Sequence, residues 1–188
     1  MIRRIGVWGF AIAFAVQAGL LVYMLGARAS MLATSAEIRL PVIPVDPRDF
    51  LRGDYVILSY PMSRLDAAQL EGDNDFGYST PVFVELAPDG DIWKAVALHK
   101  AEPQGKTFIR GTVTNYSRPE SCKDDTCNSY QVDYNLEKFF VPEGEGLELE
   151  KLRNDQRIQV DVAVAANGRA ALKRLRVDGE VKYEEKMF

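Results

Sequence analysis

Apolar residues are distributed in two different ways along the chain. From Ile5 to Ala27 there are 23 consecutive residues without a charge. At about 1.5 Å per residue, a helix of this length extends roughly 34 Å, which is enough to cross a hydrocarbon core of about 30 Å. Beyond Thr34 the apolar runs are short and are separated by polar turn residues. The pattern predicts one transmembrane helix, with residues 5–27 in the bilayer, followed by a β-rich domain.

The short apolar runs of the second part have the length and composition of strands. Residues 37–45 begin with alternating polar and apolar side chains, and Pro41 and Pro44 lack the N–H donors that a central strand needs. This run therefore predicts an edge strand or an extended entry strand. Further runs rich in β-forming residues, bounded by turn residues, predict strands of an antiparallel meander at 55–60, 81–86, 92–98, 107–114 and 129–134.

Three local features complete the prediction for this part. Residues 157–165 and 170–177 predict a hairpin closed by a type I′ turn at Asn167-Gly168. Short helices are predicted from Ser63 to Gln69, with Asp66 in the capping-box position, and from Leu147 to Asn154. We therefore expect a mainly β (α+β) fold: a mostly antiparallel sandwich or partly open barrel with one or two short helices.

Charges beside the apolar segment predict its orientation. Arg3 and Arg4 precede the segment and only Arg28 directly follows it, which favours a cytoplasmic N-terminus. We assign residues 1–34 to the cytoplasmic tip, the transmembrane helix and its extension, and residues 35–188 to a domain outside the cytoplasm. Cleavage after Ala29 is the alternative, but the apolar core of a cleaved signal peptide is usually about 7 to 15 residues.

Charge and cysteine content limit the partners and the compartment. Apart from Arg3 and Arg4, 21 basic residues oppose 27 acidic ones, so the rest of the chain is acidic and no nucleic-acid partner is expected. Cys122 and Cys127 lie in a polar stretch with four residues between them. In an oxidising compartment such a pair favours a structural disulfide that fixes a local turn.

A specific motif lies between Val45 and Tyr60. Residues 53–60 read Gly-Asp-Tyr-Val-Ile-Leu-Ser-Tyr and follow an Asp-Pro-Arg at 46–48. This segment resembles the signature of the GDYXXLXY family, and residues 135–144 (Asn-Leu-Glu-Lys-Phe-Phe-Val-Pro-Glu-Gly) resemble a downstream segment of the same family. The resemblance implies a membrane-anchored bacterial protein, with the domain in the periplasm and the helix in the inner membrane. It also implies proximity to multi-pass inner-membrane proteins.

The first functional hypothesis is therefore a non-enzymatic accessory or assembly partner of a multi-pass inner-membrane protein. The second is an envelope enzyme or ligand sensor whose site is the 46–60 block. Its candidate ligand or partner residues are Asp46, Arg48, Arg52, Gly53, Asp54, Tyr55, Leu58 and Tyr60. The simpler interpretation of this block is a folding corner, in which acid and arginine lock a turn while Leu58 and Tyr60 share one face of a strand.

Recognisable catalytic and metal-binding sets are incomplete in the sequence. Residues 51–58 are similar to the Gly-Asp turn and strand that follow the nucleophile of type I signal peptidases, but Val45 and Asp46 stand where that Ser-Met pair belongs. His99 is the only histidine available as a metal ligand beside the two cysteines. We therefore expect no catalytic residue, no metal and no cofactor.

Overall fold

The computed structural model describes residues 2–34, 36–43, 55–118, 127–141, 149, 151–153 and 155–184. The described residues from 36 onwards are mainly β, as predicted, and the helix forms a compact unit of its own. The elements are α1 (Ile2–Thr34), β1 (Ala36–Pro41), β2 (Tyr55–Ile57), β3 (Arg64–Asp66), β4 (Glu71–Gly72), β5 (Pro81–Asp89), β6 (Ile92–His99), β7 (Phe108–Ser117), β8 (Ser129–Asp133), β9 (Lys138–Phe140), β10 (Ile158–Val164), β11 (Ala170–Val177) and β12 (Glu180–Glu184).

Helix α1 has the length and polarity of a membrane anchor. Its stretch Trp8–Ala27 is long and apolar enough to cross a membrane, and none of that stretch is buried inside the protein. Large apolar side chains such as Phe10, Phe14 and Tyr23 are exposed on it. A helix that is apolar all round needs an apolar environment, and the bilayer supplies one.

The strands form three sheets. The first has the order β1-β10-β11-β12 and the second consists of β2 and β9; all pairs in both are antiparallel. The third has the order β3-β8-β7-β5-β6-β4, curls into a half-barrel, and is antiparallel except where the two residues of β4 pair with β6. The prediction that the first strand is an edge strand is confirmed, because β1 is the outer strand of its sheet.

The hairpin of β10 and β11 is confirmed, but its predicted turn type is wrong. Gly168 has φ of +76° while Asn167 does not have a positive φ, whereas a type I′ turn requires both. The Gly168 N–H instead donates to the Ala165 carbonyl, giving a type I turn followed by a left-handed glycine. A Cβ at Gly168 would lie 2.5 Å from the Phe108 ring. The glycine therefore also permits close packing of this turn on β7.

One apolar core joins the strands of all three sheets. Alternation along β8 buries Tyr130 and Val132, and β10, between two neighbours, is buried at nearly every position. The core also receives Ile38 and Leu40 from β1. This arrangement explains why the apolar runs of the sequence predicted the strands well.

The predicted helix from Ser63 to Gln69 is wrong. The segment forms 3₁₀ turns at Pro61–Ser63 and Ala67–Gln69 on either side of β3. Leu65 in β3 is buried and lies across from Tyr130 of β8, so pairing with β8 overrides the local helix signal. Asp66 does act as a cap, since its carboxylate accepts the Ala68 N–H. Leu149 and residues 151–153 are helical, within the second predicted helix.

A buried carboxylate organises the charged side of the first sheet. The side chain of Asp161 is only 2% exposed, and it accepts hydrogen bonds from the Nε atoms of three arginines. The distances are 3.1 Å for Arg39, 2.7 Å for Arg174 and 2.8 Å for Arg176. Glu37 adds an ion pair to Arg174. Asp161 therefore compensates cations contributed by both neighbours of β10.

We expect Asp161→Asn to lower the free energy of unfolding by about 3 kcal/mol, because removing one member of a buried ion group leaves the others uncompensated. Urea unfolding of the full chain in mild detergent measures this. The control is Asp89→Asn, since Asp89 and Lys94 form an exposed pair 3.2 Å apart and exposed pairs contribute less than about 1 kcal/mol. Equal effects of the two substitutions would contradict the assigned role of Asp161.

Candidate functional site

The two segments that resemble the family signature pair with each other. In the ribbon of β2 and β9, Tyr55 lies across from Phe140, Val56 from Phe139, and Ile57 from Lys138. The Leu58 N–H extends the ladder by donating to the Glu137 carbonyl at 2.8 Å. Residues about eighty positions apart therefore form one element, which we call the signature ribbon.

The inner face of the signature ribbon is part of the core. Val56, Leu58 and Tyr60 are almost completely buried, which confirms that Leu58 and Tyr60 share a face. The Tyr60 hydroxyl donates to the Leu136 carbonyl at 2.6 Å. Burial, reinforced by the charge of Glu137, raises the pKa of Tyr60 well above its ordinary value. The hydroxyl therefore stays protonated and acts as a structural donor.

A second tyrosine makes the corresponding bond from the other segment. Tyr134 is buried, and its hydroxyl donates to the Met62 carbonyl at 2.6 Å. Burial, with a contribution from Glu137, also raises the pKa of Tyr134 well above its ordinary value. The two phenols thus cross-connect the chain just after the signature to the turn before β9.

That turn is formed by residues 133–137. Asn135 has φ of +58°, and its N–H donates to the Asp133 carboxylate at 2.8 Å. The Glu137 carboxylate accepts the Tyr134 N–H at 2.8 Å. Burial and the neighbouring Asp133 carboxyl raise the pKa of Glu137, although the Tyr134 N–H opposes the shift. The turn therefore holds a carboxyl that is easier to protonate in the folded chain.

Arg153 is a supporting residue that the sequence did not reveal. It is fully buried, and its Nη1 donates to the Ile57 carbonyl of the signature ribbon at 2.8 Å. In the sequence it belongs to a charged stretch that predicts a solvated helix. The available signal was its spacing of four residues from Leu149, which places both on one helix face, and Leu149 is also buried.

The outer face of the ribbon has a different character. Phe140 is 77% exposed although it is a large aromatic residue. It lies directly across from Tyr55 in the register of the ribbon. Exposed aromatics are over-represented among the residues that dominate protein interfaces.

An open cleft of about 500 Å³ lies beside the end of the signature. Its lining is mostly apolar: Leu40, Pro41, Tyr60, Pro61, Met62, Leu65, Leu70, Ile92, Trp93 and Ala95, with Arg64, Asp66, Gln69, Lys94 and Ser129 adding polar groups. Tyr60 contributes to the wall, but its hydroxyl is already bonded to Leu136. The cleft has the size and polarity of a ligand site, without a reactive group from Tyr60.

The family model described as GDYXXLXY protein matches residues 17–175. The chain belongs to the GDYXXLXY family. No curated protein and no solved structure matches it significantly. The described part of the family signature, residues 55–60, comprises strand β2 and the three residues that follow it.

Not all of the candidate residues fall within the described chain. Leu58 and Tyr60 are core residues of the GDYXXLXY domain, and Tyr55 is the first residue of β2. Five candidates lie outside the described residues: Asp46, Arg48, Arg52, Gly53 and Asp54. For these five the proposed site stays a prediction.

Only one of the two cysteines lies among the described residues. Cys127 is not a free thiol, whereas Cys122 lies outside the described residues. The disulfide between them stays a prediction.

In the part of the chain that the structure describes, no group of three or more potential ligands among His, Cys, Asp and Glu could hold a metal. His99 instead lies 3.0 Å from the Glu85 carboxylate, which also accepts Lys106 at 2.9 Å.

We expect Tyr60→Phe to lower the free energy of unfolding by about 1 to 3 kcal/mol, because the buried Leu136 carbonyl loses its donor. Urea unfolding of the full chain provides the measurement. Tyr116→Phe is the matched control, since Tyr116 is 51% exposed on β7 and its loss of a hydroxyl should change the stability little. A Tyr60→Phe protein as stable as the control would show that this hydroxyl does not support the ribbon.

Two glutamates should give pH dependences of opposite sign. Hydrogen bonds from Lys106 and His99 lower the pKa of Glu85. Its stabilisation, about 0.5 to 1 kcal/mol for a partly exposed pair, is present above the unfolded pKa of about 4.3 and is lost as pH falls through the lowered folded value. Because the pKa of Glu137 is raised, its stabilisation is present at low pH and is lost as pH rises through the folded value.

Urea unfolding between about pH 3 and pH 7 tests both signs. Relative to the unsubstituted chain, Glu85→Gln should become less stable as pH rises, whereas Glu137→Gln should become more stable. The glutamine at 137 can still accept the Tyr134 N–H, so the comparison isolates the charge. Parallel pH profiles for the two variants would contradict these assignments.

Proposed function

We propose that this GDYXXLXY protein is a non-enzymatic accessory or assembly partner of a multi-pass inner-membrane protein. Residues 5–27 hold it in the bilayer, with the N-terminus in the cytoplasm and the β domain in the periplasm. The length and polarity of α1 support the anchor, and the excess of Arg3 and Arg4 over Arg28 supports the orientation.

The proposal rests on the difference between the two faces of the signature ribbon. The inner face packs in the core, because Leu58 is buried and the Tyr60 hydroxyl donates to the Leu136 carbonyl. The outer face leaves Phe140 exposed, in a segment shared with the family. An aromatic side chain in such a place is suited to a partner surface rather than to catalysis.

Position on the membrane makes an integral membrane protein a suitable partner. An anchored domain is restricted to a thin layer above the bilayer, so its effective concentration toward an extracytoplasmic loop of a neighbouring membrane protein is high. A modest contact area around Phe140 then suffices for association. The helix itself adds contact area within the bilayer.

A tagged full-length chain should co-purify with one multi-pass protein from its native membrane in mild detergent. Phe140→Ser should reduce the recovered partner at least tenfold, since a central aromatic typically contributes about 2 kcal/mol or more to an interface. Tyr78→Ser is the control, because Tyr78 is similarly exposed at 72% but lies outside the ribbon. Mass spectrometry measures the recovery, and equal thermal stability of the two variants establishes that both fold.

Two results would count against the accessory role. The first is the absence of any multi-pass protein from the unsubstituted sample in several detergents. The second is undiminished recovery with Phe140→Ser, which would remove the ribbon from the interface even if a partner exists.

A second candidate function is an envelope ligand sensor or enzyme at the 46–60 block. The cleft beside Tyr60 favours it, since about 500 Å³ is within the usual range for ligand sites. The engagement of the Tyr60 hydroxyl by Leu136 favours sensing over catalysis. Ligand-dependent protection of the cleft, without turnover, would distinguish a sensor from an enzyme.

A further inference from the structure

The cleft is the opening of the half-barrel. The six-stranded sheet ends in β3 on one side and in β6 with the short β4 on the other. Arg64 and Leu65 of β3 line the cleft, and so do Trp93 and Ala95 of β6. Strands β3 and β6 of one sheet therefore border the same cavity, together with Leu40 and Pro41 at the end of β1.

The polar main-chain groups of β6 in this region point toward its outer edge. Trp93 lies across from Pro88, which has no N–H and cannot complete a hydrogen-bonded pair. Ala95 lies across from Leu86, whose N–H donates to the Thr107 carbonyl on the opposite side, at 2.8 Å. By the alternation of an antiparallel ladder, the N–H and C=O groups of Trp93 and Ala95 are directed away from β5.

Strand β4 covers only the far end of this edge. It pairs with β6 at Ala97 and Leu98 alone. Within the described part of the chain, the main-chain groups of Trp93 and Ala95 have no hydrogen-bond partner. Groups two residues apart on a strand repeat every 6.6 Å or so. That repeat matches the main chain of another extended polypeptide and has no counterpart in an acyl chain.

The charged residues at the cleft place a second requirement on a ligand. Arg64 is exposed and also lines a smaller polar recess of about 260 Å³ that adjoins the cleft. Among the described residues it has no acidic partner, whereas Lys94 is paired with Asp89 and the Asp66 carboxylate accepts the Ala68 N–H. The side of the cleft formed by β3 therefore presents the guanidinium of Arg64 without an ion-pair partner among the described residues, with the Asp66 carboxylate on the same strand.

We propose that the cleft binds an extended segment of another polypeptide, which adds to the free edge of β6. Its main chain pairs with Trp93 and Ala95, its alternate apolar side chains enter the cleft, and an acidic side chain meets Arg64. Main-chain pairing gives the affinity and the alternate side chains give the selectivity. The inference does not depend on the membrane partner or on the surface around Phe140.

The probe is a random octapeptide library displayed on phage. The library is selected for binding to the full-length chain in lipid nanodiscs. We expect enrichment of peptides with apolar residues at alternate positions and one acid. Binding of an enriched peptide, measured by fluorescence anisotropy, should weaken at least tenfold in Ala95→Pro, which removes one edge N–H while leaving the ladder to β5 intact. Ala95→Val keeps that N–H and changes only the wall of the cleft, so it should weaken binding less than Ala95→Pro does. Arg64→Gln should weaken binding severalfold.

Substitution in the peptide gives an independent test, should Ala95→Pro fail to fold. Methylation of alternate peptide nitrogens removes the donors that face β6 and should also cost at least tenfold. The proposal is overturned if no peptide is enriched over empty nanodiscs, or if binding survives N-methylation unchanged. Saturable binding of decanoate without any peptide enrichment would also overturn it and assign the cleft to an anionic amphiphile.

Discussion

The domain depends on satisfying main-chain polar groups where its two signature segments meet inside the core. The Leu136 carbonyl is buried, and the Tyr60 hydroxyl donates to it. Without that donor, burial of the carbonyl would cost about 1 to 3 kcal/mol. Arg153 serves the Ile57 carbonyl in the same way. These bonds let a ribbon of only two short strands lie against the other sheets with its inner side chains buried.

This constraint gives a physical meaning to the family signature. The leucine and the last tyrosine of the signature, here Leu58 and Tyr60, are required by the core, so their identity does not imply catalysis. A functional surface must then use what the fold leaves exposed, which on this ribbon is the face of Phe140. The neighbouring cleft, bordered by two strands of one sheet, offers a surface of a different kind. In the proposed function, separate residues of the chain therefore serve anchoring, partner binding and the fold.

Local patterns predicted much of the fold, and tertiary contacts explain where they failed. The strands of the large sheet and the closing hairpin were predictable because the alternation of polar and apolar residues along a strand indicates which of its faces is buried. The Ser63–Gln69 helix was wrong because Leu65 gains more from pairing with β8 than the segment gains from helix formation. The turn type at Gly168 was wrong because the hairpin closes between Ala165 and Arg169, which leaves a loop of three residues, whereas a type I′ hairpin loop has two.

The candidate site was predictable only in part. Leu58 and Tyr60 could be placed on one face from strand periodicity, but the pairing of β2 with β9 could not, since no local pattern specifies a partner about eighty residues away. Arg153 was missed because a buried arginine within a charged stretch looks like a solvated one. The open edge at Ala95 depends on Pro88 and Thr107 together, and only the assembled sheet reveals it.

Native-state hydrogen exchange at the Leu58 amide tests the central claim that the signature ribbon closes the core. This N–H donates to the Glu137 carbonyl at the end of the ribbon. If the ribbon is integral to the fold, the amide should exchange only through global unfolding, with a protection free energy equal to the unfolding free energy from urea titration. Exchange through a local opening several kcal/mol below that value would show that the ribbon is a peripheral attachment.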